Sequence, residues 1–332
     1  MARIVLGLGT SHTPMLLAAD ETLPRFVETD RTIRHRDRDG NPTSYAALLE
    51  KADPRLADMT TPEQLVARQN VARAATEHLR RRLGDARLDA LVVMGDDQNE
   101  SYREDCRPAF AVYCGETIRN SNAQHESYAS RYPEWYVKNR QGFFEPEAPR
   151  DYPVHSRLAV HLIESLMDAD FDLASSQCLP DREGEGHALA YLHRRVMDAD
   201  HPIPVVPIFL NTYFPPNQPR PARCYELGRA VRAAVEAYPG EARIGVAASG
   251  GLSHFLVDEE FDRAILKACA DQDACFLKNL PRHKLQAGSS EILNWVALAG
   301  AVEHLHLEWF EYVPGYRTPA GTGTGLSFAT WS

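Results

Sequence analysis

Five short runs of apolar residues, rich in Val and Ile, are spread along the chain, and each ends at Gly, Pro or polar residues. Apolar runs of about four to eight residues with such boundaries are typical of buried β-strands. The runs cover residues 3–8, 88–94, 110–114, 203–210 and 243–248. They predict the strands of a central sheet.

Longer stretches with apolar residues at helical spacing lie between and after these runs. They cover residues 61–83, 158–167, 188–197, 225–238, 259–280 and 289–302. Strands that alternate with helices indicate an α/β fold, with helices packed on both faces of a mainly parallel or mixed sheet. We therefore predict one sandwich domain that covers residues 1–332.

Two segments interrupt this alternation. Residues 25–58 are charged, lack periodic apolar positions and contain a DGNP turn, which predicts an insertion that caps the sheet. Within it, residues 45–51 read as a short helix. Residues 118–151 are irregular and rich in Tyr, Trp and Phe. They predict a lid or a pocket wall, although ordinary loop packing would explain the aromatic residues equally well.

Composition and charge narrow the range of partners. The chain has 332 residues, 44% hydrophobic and 25% charged, with a net charge of -10. A negative surface repels polyanions, which argues against nucleic acid or an anionic membrane. No stretch approaches the roughly 20 apolar residues of a membrane span, and the six cysteines form no CxxC pair. We expect a cytoplasmic protein with a small organic substrate.

Polar residues cluster where predicted strands end, and open α/β sheets bind ligands at the carboxyl ends of their strands. His12 follows the first strand, the acids and amides of residues 95–100 follow the second, and His254 closes the turn of residues 248–254. Glu291 opens an apolar helix. Taken singly, each has a simpler explanation. His12 would be an ordinary loop histidine, residues 95–100 a solvated turn, residues 248–254 a tight turn, and Glu291 a helix cap.

Together, these residues favour a metal centre. Two neutral ligands and one carboxylate on a single face of octahedral iron leave three positions open for a chelating substrate and O2. Ser253, next to His254, also invites a hydrolase interpretation, but the GGLSH turn lacks the GxSxG pattern of a nucleophile elbow.

The same four segments, in the same order, resemble the class III extradiol ring-cleaving dioxygenases of the LigB type, to which the catalytic subunit of protocatechuate 4,5-dioxygenase belongs. The resemblance implies that His12, in the SH-x-P turn, and Glu291, in SEILNW, are iron ligands. It also implies that His254 is the acid/base that assists oxygen activation. His187, in the turn of residues 185–187, would lie on the substrate side with a catalytic role.

One position departs from the family pattern. Where the family has an Asp-His pair with the second iron histidine, this chain has Asp97-Gln98. An amide oxygen keeps a neutral ligand, although a weaker one than imidazole for Fe(II). We therefore predict Gln98 as the third ligand. The open alternatives are that Glu100 or His125 replaces it, or that the site has lost iron chemistry.

The resemblance implies an Fe(II) enzyme that opens the ring of a catechol, a gallate, an aminophenol or a hydroxypyridine with O2, and we expect a homo-oligomer. Candidate substrate residues are His155, Tyr213, Tyr316 and Arg317, the last two in a C-terminal stretch whose glycines predict a close loop. Helix capping would also explain His155 and His187, and an ion pair would explain Arg317. The competing functions are a non-enzymatic Memo-like signalling protein and a metal-dependent hydrolase.

Overall fold

A computed structural model describes residues 1–122, 132–179 and 184–332 of the chain. Within these residues, nine strands form one sheet in the order β11-β13-β1-β10-β4-β9-β5-β8, with β12 paired to β13. The remaining strands form two small ribbons, β2-β3 and β6-β7. The strands are β1 Arg3–Thr10, β2 His35–Arg36, β3 Pro42–Thr43, β4 Ala90–Asp96, β5 Phe110–Tyr113, β6 Thr117–Asn120, β7 Arg150–Pro153, β8 Ala174–Ser176, β9 Val205–Leu210, β10 Arg243–Ser249, β11 His254–Leu256, β12 Leu307–Tyr316 and β13 Thr322–Trp331.

The sheet is mixed, which confirms the predicted fold class. Strands β1, β10, β4 and β9 are parallel neighbours, whereas β13 is antiparallel to β1 and β5 is antiparallel to β9. All five predicted strands are present. Side chains alternate between the two faces, so that Val92 packs in one apolar cluster while Leu91 and Val93 pack in the other. The sheet is therefore buried on both faces by helices, as in a three-layer sandwich.

The C-terminal hairpin is the main element that the sequence prediction missed. The predicted close loop is instead β12 and β13, two ten-residue strands. Glycine and threonine alternate along the start of β13, and glycine weakens a strand considered in isolation. Pairing with β1 and β11 on one side and β12 on the other outweighs this local preference.

Helices lie at all six predicted stretches. In the described residues they are Phe26–Asp30, Tyr45–Lys51, Arg55–Met59, Pro62–Asp85, Glu134–Gln141, Ser156–Asp168, His187–Tyr191 with a π-helical turn Leu192–Val196, Pro221–Ala237, Glu259–Ala270, Ala274–Lys278 and Ile292–Ala301. Short 3-10 turns cover Pro14–Leu17, Asp20–Arg25 and Ala287–Glu291. No helix among the described residues is both long enough and apolar enough to cross a membrane.

The predicted helix over residues 259–280 is two helices. Asp273 accepts a hydrogen bond from the backbone N–H of Phe276 and so caps a new helix after Ala270. Aspartate is a preferred N-cap residue, because its carboxylate satisfies an N–H that has no partner in the first turn. The apolar periodicity continues across this break, and it therefore concealed the boundary.

The segment of residues 25–58 packs against the C-terminal hairpin. Tyr45 and Leu48, in the predicted short helix, form a small apolar cluster with Ala320 at the hairpin turn. Asp30, at the end of the preceding helix, is fully buried beside Arg317. The segment thus covers the sheet edge at which the strands β1, β10 and β4 end.

Candidate active site

Four parallel strands bring predicted site residues to one edge of the sheet. Because β1, β10, β4 and β9 are neighbours that run in one direction, their carboxyl ends lie side by side. His12, His254, Gln98 and Tyr213 follow these four strands. A cavity of about 250 Å³ opens at this edge, where α/β sheets generally bind ligands. Seven predicted site residues line it, namely His12, Gln98, His187, Tyr213, His254, Glu291 and Arg317.

His12 lines the cavity, and its ring nitrogen Nε2 has no hydrogen-bond partner. Its Nδ1 lies 2.9 Å from the hydroxyl oxygen of Ser249, and that hydroxyl donates its only proton to the carbonyl of Ala188 at 2.7 Å. Ser249 must therefore accept from Nδ1–H, which leaves the lone pair on Nε2. Nε2 is buried without a hydrogen-bond partner and lies 3.6 Å from Oε2 of Glu291.

Glu291 ends the short 3-10 turn that precedes an apolar helix, and its side chain is buried. Its Oε2 accepts a hydrogen bond from the backbone N–H of Gly251 at 2.8 Å, and its Oε1 accepts one from the Gln98 amide at 3.1 Å. Burial and the neighbouring carboxylate of Asp96 raise the pKa of Glu291 well above its usual value. A cation at this position would offset both effects.

Asp96 is the last residue of β4, and its side chain is buried. Nε2 of Gln98 donates to Asp96 at 3.1 Å as well as to Glu291, so one amide joins two carboxylates. Nδ2 of Asn294 lies 3.3 Å from the other oxygen of Asp96. Burial raises the pKa of the Asp96 carboxyl as it does that of Glu291.

His254 is held in one tautomer with its second nitrogen facing Glu291. Nδ1 lies 2.9 Å from the carbonyl of Leu252, which can only accept, so Nδ1 carries the proton. Nε2 lies 3.6 Å from Oε2 of Glu291. Burial lowers the pKa of His254 to about 4. A Cβ on Gly251 would lie 2.2 Å from this ring, so glycine is needed there.

His187 and Glu100 form a buried pair beside His12. Nδ1 of His187 lies 2.8 Å from both carboxylate oxygens, and the backbone N–H of His187 also donates to Glu100. Burial alone lowers the pKa of His187, but the Glu100 carboxylate outweighs it and raises the pKa. The rings of His187 and His12 meet edge to face, with centroids 4.5 Å apart.

Comparison with known proteins agrees with this geometry. Residues 54–327 match the model of a family described as the catalytic LigB subunit of aromatic ring-opening dioxygenase. The chain belongs to the LigB family. The match includes Gln98, His254 and Glu291 but begins after His12, so the assignment of His12 rests on the SH-x-P turn and on its position in the fold.

Two curated relatives are dioxygenases by name. This LigB-family chain is 28% identical over 179 residues to gallate dioxygenase of Pseudomonas putida, over 49% of the chain and 52% of the relative. It is 37% identical over 112 residues to a 2,3-dihydroxyphenylpropionate/2,3-dihydroxicinnamic acid 1,2-dioxygenase of Comamonas testosteroni, over 34% of the chain and 33% of the relative. The matched regions thus span about half and a third of the lengths of these relatives.

Two predicted substrate residues, His155 and Tyr316, do not line the cavity. Nδ1 of His155 accepts a hydrogen bond from the backbone N–H of Leu158 and so caps the helix Ser156–Asp168. The backbone N–H of His155 donates to the carbonyl of Val205, at the amino end of β9. His155 is therefore at the opposite edge of the sheet. The hydroxyl of Tyr316 donates to Glu259 at 2.9 Å, outside the cavity.

Arg317 lines the cavity, but most of its guanidinium is already engaged. Its Nε and Nη2 donate to the two carboxylate oxygens of Asp30 at 2.8 and 2.6 Å. Both residues are buried, so this is an internal ion pair and not the surface pair considered from the sequence. Nη1 is the guanidinium nitrogen that remains for a ligand.

Sequence reasoning passed over several residues of the site. Asp96 was included in the cluster of residues 95–100 but not singled out as a ligand, although its place at the end of an apolar strand was a usable signal. Ser249 and Asn294 act only through contacts between distant parts of the chain. Arg34 and Arg140 also line the cavity. So do Tyr132 and Tyr136, which belong to the aromatic segment considered as a lid or pocket wall. Glu100, considered as a ligand, bonds His187, and His125, the other alternative, lies outside the described residues.

The residues at this edge fit a divalent metal. Among the described residues, ligand atoms of His12, Asp96 and Glu291 all lie within 4.8 Å of one another. The unpartnered Nε2 of His12 gives independent support, because a buried ring nitrogen without a partner is costly unless something binds it. Nitrogen and carboxylate oxygen donors together suit iron or manganese. Coordination by Gln98 itself stays a prediction.

Proposed function

We propose that the protein is a non-haem Fe(II) dioxygenase of the extradiol type, which opens the ring of a catechol-like aromatic with O2. The observation that carries the proposal is the buried cluster in which the free Nε2 atoms of His12 and His254 both lie 3.6 Å from Oε2 of Glu291. Membership of the LigB family supports it. So do two relatives whose names describe dioxygenases of dihydroxylated or trihydroxylated aromatics.

His12 and Glu291 would hold the metal, with a third donor from the end of β4 or the turn that follows it, where the sequence prediction is Gln98. Bound Fe(II) would supply a centre at which O2 and a chelating substrate meet and exchange electrons. The role of the chain is to fix its own donors. Ser249 fixes the tautomer of His12, and Gly251 orients the carboxylate of Glu291. Such outer partners generally matter nearly as much as the ligands.

His254 is suited to take a proton from the substrate hydroxyl. Its low pKa, caused by burial, keeps the ring neutral near pH 7, and the hydrogen bond to Leu252 directs the lone pair of Nε2 toward Glu291. A neutral, correctly oriented imidazole is a general base. The same ring can return the proton later in the reaction.

His187 is suited to the opposite task. Its pKa is raised because Glu100 stabilises the charged ring, although burial acts against this. A protonated His187 would donate from Nε2 to an oxygen of the substrate or of O2, while Glu100 holds Nδ1. Because their pKa values are shifted in opposite directions, His254 can act as the base while His187 acts as the acid.

We infer the substrate class from the family, and the cavity walls support it. The site would take a single aromatic ring with two adjacent donor atoms, as in a catechol, a gallate, an aminophenol or a hydroxypyridine. Tyr213 and Tyr136 offer aromatic surface for the ring, and Nη1 of Arg317 offers a donor for a carboxylate substituent. The names of the relatives, gallate and 2,3-dihydroxyphenylpropionate dioxygenase, suggest such substituents.

The experiment is anaerobic reconstitution with Fe(II), followed by O2-electrode assays with a panel of these aromatics. We expect O2 uptake that requires iron, a ring-opened product, and incorporation of both atoms of 18O2. A protein that binds iron but consumes no O2 with any member of the panel would favour a non-enzymatic role. Product formation without O2 would favour a hydrolase.

A further inference from the structure

Two buried carboxylates of the site form no ion pair with Lys or Arg among the described residues. Asp96 and Glu291 are 1% and 2% exposed, and the charged groups that interact with them include histidines. The side chain of Asp96 accepts hydrogen bonds from the amides of Gln98 and Asn294. Protonation or a bound cation must offset the cost of burying two such charges, and one cation can serve both carboxylates.

The amide of Gln98 lies between these carboxylates with its nitrogen toward both. Nε2 is 3.1 Å from Oδ2 of Asp96 and 3.1 Å from Oε1 of Glu291, so its two protons have one acceptor each. The reverse orientation would place the amide oxygen against two carboxylate oxygens with no proton between them. Because both neighbours are acceptors, the Gln98 amide has its nitrogen toward them and its oxygen directed away from them.

From these contacts we infer that Asp96, and not Gln98, is the third metal ligand, and that Gln98 holds the two carboxylates in place. The ligand set is then His12 Nε2, a carboxylate oxygen of Asp96 and a carboxylate oxygen of Glu291. Nε2 of His12, which has no hydrogen-bond partner in a residue that is 2% exposed, completes the set from a third element. This inference rests on the proposed metal centre but not on ring cleavage.

The charge of the set follows directly. Two carboxylates and one imidazole carry two negative charges, which neutralise a divalent cation, whereas two imidazoles and one carboxylate would leave one positive charge. Oxygen-rich sets suit harder ions such as Mn(II), and imidazole suits Fe(II) and later metals. The site should therefore bind Mn(II) and not depend on Fe(II) for occupancy.

In the test, metal-free protein is titrated with Mn(II). Binding is measured by calorimetry and by the electron paramagnetic resonance signal of the Mn(II) that stays free. Asp96→Asn keeps the shape of the side chain and removes its charge, and it should weaken binding by more than about 100-fold. Gln98→Met removes an outer partner, and it should weaken binding by about 10- to 100-fold at most. Asp97→Asn is the matched control, because the Asp97 carboxylate is also buried but only accepts from Ser101 and Tyr102.

Equal binding in wild type and Asp96→Asn, or a larger loss in Gln98→Met, would overturn the inference. A wild-type crystal soaked in Mn(II) tests the same point without a variant. The anomalous peak of the bound ion should lie at coordination distance from the carboxylate of Asp96. A peak coordinated by the Gln98 oxygen instead would also overturn the inference. The ring-cleavage assay is separate. Mn(II) binding through Asp96, together with no O2 uptake by the Fe(II)-loaded protein on any aromatic of the panel, would contradict the proposed function and leave this inference standing.

Discussion

Ser249 holds His12 in a single tautomer, because its hydroxyl accepts from Nδ1 of His12 at 2.9 Å while donating to the carbonyl of Ala188 at 2.7 Å. Ser249 ends β10 and His12 follows β1, so the contact joins two neighbouring parallel strands. It determines which nitrogen faces the carboxylates.

Ser249→Ala should weaken metal binding by about 10- to 100-fold, as is typical when the outer partner of a ligating histidine is lost. The ring of His12 would then be free to change tautomer. Calorimetric titration with Fe(II) under anaerobic conditions measures the effect. Ser165→Ala is the control, because Ser165 also lies beside a histidine, His161, but outside the cavity. Unchanged affinity in Ser249→Ala would show that the tautomer is fixed by something else.

Glu291→Ala should abolish metal binding, because Glu291 is the carboxylate closest to the free nitrogens of His12 and His254. Metal content after reconstitution and desalting gives the answer. Glu104→Ala, at an exposed position of the chain, should retain the wild-type content. Full metal content in Glu291→Ala would remove this residue from the metal centre.

His254→Phe should retain metal and lose about 10²- to 10⁴-fold in kcat, the usual contribution of a general acid/base. The replacement keeps an aromatic ring between Gly251 and Gly288, where space is tight. Steady-state O2 uptake and metal content are measured together. His201→Phe, at an exposed position, is the control. Ring opening near the wild-type rate would mean that another group moves the proton.

Asp262 should make stability depend on pH. Burial raises its pKa to about 7, with a contribution from Asp258, against hydrogen bonds from Ser253 and Tyr312. The folded state therefore favours the protonated form. The stability it contributes is complete below the pKa of the unfolded chain, about 3.9, and is lost as pH rises through about 7.

In thermal unfolding between about pH 5 and pH 8, the wild-type Tm should consequently fall more than that of Asp262→Asn, which cannot ionise. Metal-free protein is used for both, so that metal binding does not contribute. The exposed Asp172→Asn serves as the control and should follow the wild type. Parallel curves for wild type and Asp262→Asn would contradict the raised pKa.

The sequence by itself determined the fold class and the edge of the sheet at which the site lies. Apolar runs and helical periodicity predicted the strands β1, β4, β5, β9 and β10 and the alternating helices, because these patterns arise from burial of each element considered alone. Polar residues directly after β1, β4 and β10 pointed to the carboxyl edge, since parallel strands end together. His12, Gln98, His254 and Glu291 do meet at one cavity.

Only the tertiary structure decided which polar groups share a contact. It joined Gln98 to both Asp96 and Glu291, and His187 to Glu100, across long separations in the chain. It places His155 at the amino end of β9, away from the cavity, and it shows that a glycine-rich stretch forms β13. The physical reason is the same in each case. Burial and pairing energies depend on neighbours that are distant in sequence, whereas local patterns report only the preference of a segment for its own conformation.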